Sequence, residues 1–153
     1  ELLQWLDDLP NQAKKENRKA RKYPFNLLAG ERRAYNANAL FRNPEWRKKD
    51  VEGMLKIHPE DALEQGLGNG DWVKCISSVG AVIIKVWITD EVPPGLLSMP
   101  HGYGFAYPNH DVKTTGALVN QLTALEECDP LAKTPYHKNV RVRLEKINEE
   151  EWN

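Results

Sequence analysis

Residues 58–75, HPEDALEQGLGNGDWVKC, decide how the chain is read. The glycines of GLGNG (Gly66, Gly68 and Gly70) have the look of a loop that cradles a nucleotide phosphate. The residues around them say otherwise. Pro59 suits the first position of a helix, and Glu60 and Asp61 favour its positive end. Gly66 can take the left-handed conformation after the last turn, with Leu67 packing back on Ala62 in a Schellman ending. Asn69-Gly70 then turns the chain into a strand at Asp71-Trp72-Val73. The order is helix, glycines, strand. A dinucleotide fingerprint needs strand, glycines, helix, so that free N–H groups at a helix N-terminus meet the pyrophosphate. At a helix C-terminus the partial negative charge repels phosphate. These glycines are structural.

On both sides of this corner lie short β-like runs separated by turn signals: PFNLLAG, GMLKI, DWVKCI, AVIIKVWI, GLLSM and VRVRL. In AVIIKVWI, Val82, Ile84, Val86 and Ile88 share one face, and Ala81, Ile83, Lys85 and Trp87 the other. The first set is expected to face a core, and the second to be partly covered. VRVRL alternates more cleanly, with Val140, Val142 and Leu144 inward. SSVG (Ser77 to Gly80) reads as a hairpin connection. Six short strands with one or two short helices point to a β-barrel with helical decoration.

The first 22 residues differ in character. ELLQWLDDL places Leu2, Leu3, Leu6 and Leu9 with Trp5 at helical spacing and stops at Pro10. AKKENRKARK (Ala13 to Lys22) is strongly basic without an apolar period, and reads as a linker or exposed helix. Residues 1–22 are therefore an expected arm, 23–147 the folded domain and 148–153 a tail. A chain beginning with Glu1 is expected to be a piece of a longer protein.

With 153 residues the chain is of single-domain size. Lys and Arg number 21 against 22 Asp and Glu, a formal net charge of −1 that offers no large attraction to nucleic acid. Cys75 and Cys128 lie far apart with no CxxC, which fits neither a zinc site nor a disulfide framework and suits a reducing cytoplasm. No apolar run approaches the ~20 residues that span a bilayer. Cys75 alternates with Val73 and reads as a buried small hydrophobe. Asp61, Asp71, Asp90 and Asp129 sit at helix starts or turns, where capping explains them.

Four ordered segments carry a resemblance: LLAGERRAYNAN (27–38), the run from His58 to Gly104, VNQLT (119–123), and DPLAKTPYHKNVRVRLEK (129–146). Together they resemble the C-terminal domain of molybdopterin oxidoreductases, the family of formate dehydrogenases, nitrate reductases and dimethyl sulfoxide reductase. The resemblance covers roughly residues 23–147. It implies a mainly β fold with short helices, a six-stranded double-psi β-barrel of the aspartate decarboxylase-like kind. It further implies that the domain holds the nucleotide tail of molybdopterin guanine dinucleotide, whose dithiolenes ligate molybdenum or tungsten elsewhere in the parent enzyme. The other domains of that enzyme are the implied partners, with no nucleic acid, no membrane insertion and a monomeric isolated domain. No catalytic or metal-ligating residue is expected on this chain.

The same resemblance singles out candidate contacts. Ala29 and Gly30 would let backbone approach a cofactor. Arg32 and Arg33 would meet pyrophosphate with bidentate geometry, and Asn38 would supply an amide. In many relatives an Arg follows the glycine directly, and a His and a Ser or Gly come later in this loop; here Glu31, Asn36 and Ala39 stand near those places. His101 and Gly102 lie in PHGYG, a second glycine-punctuated loop. Asn120 presents donors and an acceptor to a guanine edge or pterin ring, and Lys138 an ammonium to phosphate or carbonyl oxygen. Each has a plain alternative, a solvated or turn residue. Two further readings of the whole chain remain open: a double-psi barrel serving protein interaction without cofactor, and a small separate subunit of a molybdenum or tungsten enzyme. A self-cleaving barrel decarboxylase is disfavoured by the lack of a Gly-Ser pair.

Overall fold

The computed structural model describes residues 2–33, 43–47, 50, 52–109, 115–129 and 131–148. Its framework is six strands: β1 (Phe25–Glu31), β2 (Leu55–Ile57), β3 (Trp72–Ile76), β4 (Ala81–Ile88), β5 (Leu96–Pro100) and β6 (Val140–Lys146). They close into a barrel in the order β1-β5-β2-β4-β3-β6, with β6 returning to β1. The pairs β1/β5 and β2/β4 are parallel and the rest antiparallel. This closed six-stranded mixed barrel has the form expected of a double-psi barrel.

The alternation read in the sequence fills its interior. Val82, Ile84 and Val86 of β4 are buried, as are Val140, Val142 and Leu144 of β6, and Ile88 packs against the same cluster. Leu27, Leu55, Ile57, Val73, Cys75, Leu97 and Val142 have no exposed surface at all. Burying each Leu, Ile or Val contributes roughly 1.5–3 kcal/mol, so these side chains are the main source of the fold's stability. Burial also pushes the Cys75 thiol up to about 12, which fits the small-hydrophobe reading.

The corner at 58–75 forms as its residues dictate. Helix α3 (Pro59–Glu64) follows α1 (Leu2–Asp7) and α2 (Leu9–Lys22) in the chain. At its end the Leu67 N–H donates to the Ala62 carbonyl (2.8 Å) and the Gly66 N–H to that of Leu63 (3.1 Å), with Gly66 at φ +63°. Both bonds of a Schellman ending are present. The buried Asp61 carboxylate accepts from the Gly95 N–H (2.7 Å), tying α3 to the turn before β5. Asp71 caps its own turn at Gly68 N–H (2.8 Å), and Asp129 accepts from Leu131 and Ala132. Ser77 to Gly80 is the β3–β4 hairpin, closed by Ser77 N–H on the Gly80 carbonyl.

One expectation shifts, and one open alternative is decided. The first helix ends at Asp7, and Pro10 lies in the first turn of α2 rather than after α1, where its missing N–H costs nothing. The basic run is helical, and Lys19–Glu127 and Arg141–Glu16 ion pairs fasten it to the barrel.

Candidate functional site

On the outer face of the β1/β5 pair lies a cavity of about 750 Å³. Strand alternation explains why it is there. Leu27 and Ala29 point into the barrel, as do Leu97 and Met99, which leaves Leu28 and Ser98 facing out. Between Ala29 and Glu31 the β1/β5 register slips by one residue, and Gly30 takes φ +89°. A bulge of this kind re-aims the next side chain. Strict alternation would send Glu31 into the apolar interior; the slip turns it out, where it meets Ser98 and Lys56.

Three other segments wall the cavity. The loop after β5 brings His101, whose N–H donates to the Glu31 carbonyl at 3.4 Å. A 3-10 turn at Val119–Leu122 anchors Val119 and Leu122 in the core and leaves Asn120 exposed, with Thr123 beside it. Gly80 is pressed against this turn: a Cβ there would stand 2.2 Å from the Gln121 carbonyl oxygen. The last wall is His137–Lys138, held to β1 by the Ala29 N–H donating to the His137 carbonyl at 2.8 Å.

Of the residues singled out in the sequence, Ala29, Gly30, Arg32, His101, Asn120 and Lys138 all line this one cavity, although up to 109 positions separate them. Arg32 and Lys138 are exposed, and among the described residues neither has an ion-pair partner. Arg33 is placed differently. Its guanidinium is bound to Glu31 (3.1 Å), Asp50 (2.6 Å) and the Met54 carbonyl (2.8 Å), away from the cavity. Neighbouring residues of an extended chain point to opposite sides, so Arg32 and Arg33 do not share a target. Gly102, at φ +85°, shapes its loop without lining the cavity. Asn38 lies outside the described residues.

Sequence reasoning did not single out Leu28, Glu31, Ser98, Val119, Thr123 or His137 as lining residues. A glycine inside a strand pattern signals a bulge, and that signal at Gly30 pointed to Glu31. Burial works against the Glu31 charge. Hydrogen bonds from Lys56 Nζ (2.7 Å) and Ser98 Oγ (2.8 Å), with the Arg33 and Lys56 charges, outweigh it and hold the carboxyl below its usual range. Lys56 is held above its ordinary value: burial opposes this, and Glu31 and Glu91 outweigh it.

Behind the His101 loop, Tyr103 is its anchor. The ring is 2% exposed, stacks on the Arg47 guanidinium at 4.4 Å, and donates its hydroxyl to the Asp50 carbonyl at 2.7 Å. Among the described residues no group of three or more His, Cys, Asp or Glu is placed to hold a metal. No helix among them is long and apolar enough to cross a membrane.

Comparison with known proteins agrees with this architecture. Residues 25–141 match the family described as "Molydopterin dinucleotide binding domain". The chain is similar to the F420-dependent formate dehydrogenase subunit alpha of Methanocaldococcus jannaschii, 33% identical over 127 residues, covering 82% of this chain and 17% of that protein. It is 29% identical, with the same coverage, to the F420-dependent formate dehydrogenase 1 subunit alpha of Methanococcus maripaludis. The chain thus spans about a sixth of the curated relatives it matches. Among solved structures, acetylene hydratase from Pelobacter acetylenicus shares the fold, with a TM-score of 0.72 at 20% identity over 84% of this chain and 19% of that one. The chain belongs to the molybdopterin dinucleotide-binding domain family.

Proposed function

We propose that the cavity on the β1/β5 face holds the nucleotide portion of molybdopterin guanine dinucleotide, with this chain serving as one domain of a formate dehydrogenase-like molybdenum or tungsten oxidoreductase. The observation that carries the reading is convergence: four segments distant in sequence bring Ala29–Gly30, Arg32, His101, Asn120 and Lys138 to one cavity. Its volume of about 750 Å³ is in the usual range for small-molecule sites.

The donor set fits a dinucleotide. Arg32 and Lys138 supply positive charge for a pyrophosphate, the Arg as a planar fork and the Lys as a point charge. Asn120 offers two N–H donors and an acceptor to a heterocycle. Gly30 keeps the β1 end free of a side chain, at φ +89°, a conformation that other residues adopt only with strain. When bound, the cofactor supplies the dithiolene ligands of the metal and thereby the redox chemistry. The residues here bind and orient its tail. Relatives about five times this length support a role as part of a larger enzyme, with the other domains as partners. Both cysteines are free, in keeping with a cytoplasmic setting, and we take the isolated domain to be a monomer.

The test is titration of the chain with a guanine nucleotide, followed by amide chemical shifts. Shifts should concentrate at residues 29–32, 101, 120 and 138. Arg32→Ala and Lys138→Ala should each weaken binding several-fold, whereas Arg33→Ala should lower stability without removing a phosphate contact. Shifts confined to residues away from the cavity would sink the proposal.

A further inference from the structure

Glu31 carries the wrong charge for a site that only receives phosphate. It is the one carboxylate among the described lining residues, and its side chain keeps 23% of its surface exposed. Pairing does not require it there. Among the described residues, Arg33 already meets Asp50 at 2.6 Å and Lys56 meets Glu91 at 2.7 Å. Glu31 adds a third carboxylate to these two cations, and the β1 bulge aims it at the cavity wall.

Its remaining capacity can be counted. A carboxylate offers about four acceptor positions. Oε2 accepts from Ser98 Oγ (2.8 Å) and Arg33 Nε (3.1 Å), and Oε1 from Lys56 Nζ (2.7 Å). Among the described residues nothing takes the remaining position, which is on Oε1. A group held ionised is acceptor-only, so the partner that completes it must be an N–H or O–H donor.

We infer that Glu31 Oε1 accepts a hydrogen bond from the amino group of a 2-amino-4-oxopyrimidine ring, the unit that guanine and a pterin have in common. Glu31 is then the residue by which the cavity selects its heterocycle, while Arg32 and Lys138 serve the phosphates. The inference rests on the nucleotide-binding reading above, and adds to it the identity of the group that reads the base.

The experiment compares ligands that differ at the amino-bearing carbon: GMP against IMP, and pterin against lumazine, each titrated into the chain with the amides of Ala29, Gly30 and Asn120 as reporters. The amino member of at least one pair should bind about tenfold tighter, the scale of one hydrogen bond to a charged group. Which pair discriminates tells guanine from pterin. Glu31→Gln should abolish the difference, because the single amide oxygen is consumed by Lys56, Ser98 and Arg33. Equal binding within both pairs by the unmodified chain overturns the inference and leaves the nucleotide site standing, even if the variant fails to fold. Discrimination that survives in a folded Glu31→Gln chain also overturns it. If no probe shifts a cavity residue at millimolar concentration, the site itself falls, and the inference with it.

Discussion

Gly53→Ala should destabilise the chain far more than Gly66→Ala, although both glycines have the same backbone. Their φ angles are +61° and +63°, so an alanine at either position bears the left-handed strain of about 1–2 kcal/mol. The surroundings differ. At Gly66 nothing lies within 4 Å of an added Cβ, whereas at Gly53 it would stand 2.6, 2.7 and 2.8 Å from three carbons of the Tyr103 ring. That ring has little room to yield. A Cβ on Gly116 would already be 3.0 Å from it, Arg47 covers it, and its hydroxyl is bonded to Asp50. Overpacking of this kind costs roughly 1–3 kcal/mol beyond the backbone term. For a chain of about 150 residues each kcal/mol moves the melting temperature by about 2–4 °C, so the two variants should differ by roughly 2–12 °C. Thermal and urea unfolding of the two variants side by side measure the difference. Coincident midpoints would refute the reasoning, as would an unchanged Gly53→Ala penalty in a Tyr103→Ala background, where the three ring carbons are gone.

Two further outcomes are expected. Asp61→Ala should cost about 1–3 kcal/mol in urea denaturation, because it leaves the Gly95 N–H, now bonded at 2.7 Å, without its acceptor. Stability should fall at both ends of the pH range. The contribution of Glu31, whose folded pKa is lowered, is present above its ordinary value of 4.5 and lost as pH falls through the folded value. That of Lys56, whose folded pKa is raised, is present below 10.5 and lost as pH rises through the folded value. Unfolding midpoints against pH should therefore show a flatter acid limb in Glu31→Gln.

Local grammar made the barrel legible. Alternation in AVIIKVWI and VRVRL, the helix signals at Pro59 to Asp61 and the glycine at 66 each act over a few residues, and each formed as read. The cavity is another matter. His137 reaches Ala29 because β6 lies beside β1, and His101 reaches Glu31 because β5 does; neither adjacency is written in local pattern. The resemblance supplied those residues one at a time without their meeting place. Arg32 and Arg33 show the limit plainly. Chain geometry dictates that only one can face a ligand, but which one depends on the bulge and on the distant Asp50.

The strand order also constrains how the chain comes into being. β1, made first, has only β5 and β6 as neighbours, so its earliest lasting partner is some 65 residues away and its second is the last strand of all. A ribosome delivering residues one by one holds an open sheet until β6 emerges, with the apolar faces of β1 and β3 awaiting the same strand. Such non-local pairing makes for slow folding and for a period of exposure to aggregation. A chain cut before Val140 would forfeit both seams that β6 closes, and with them the barrel.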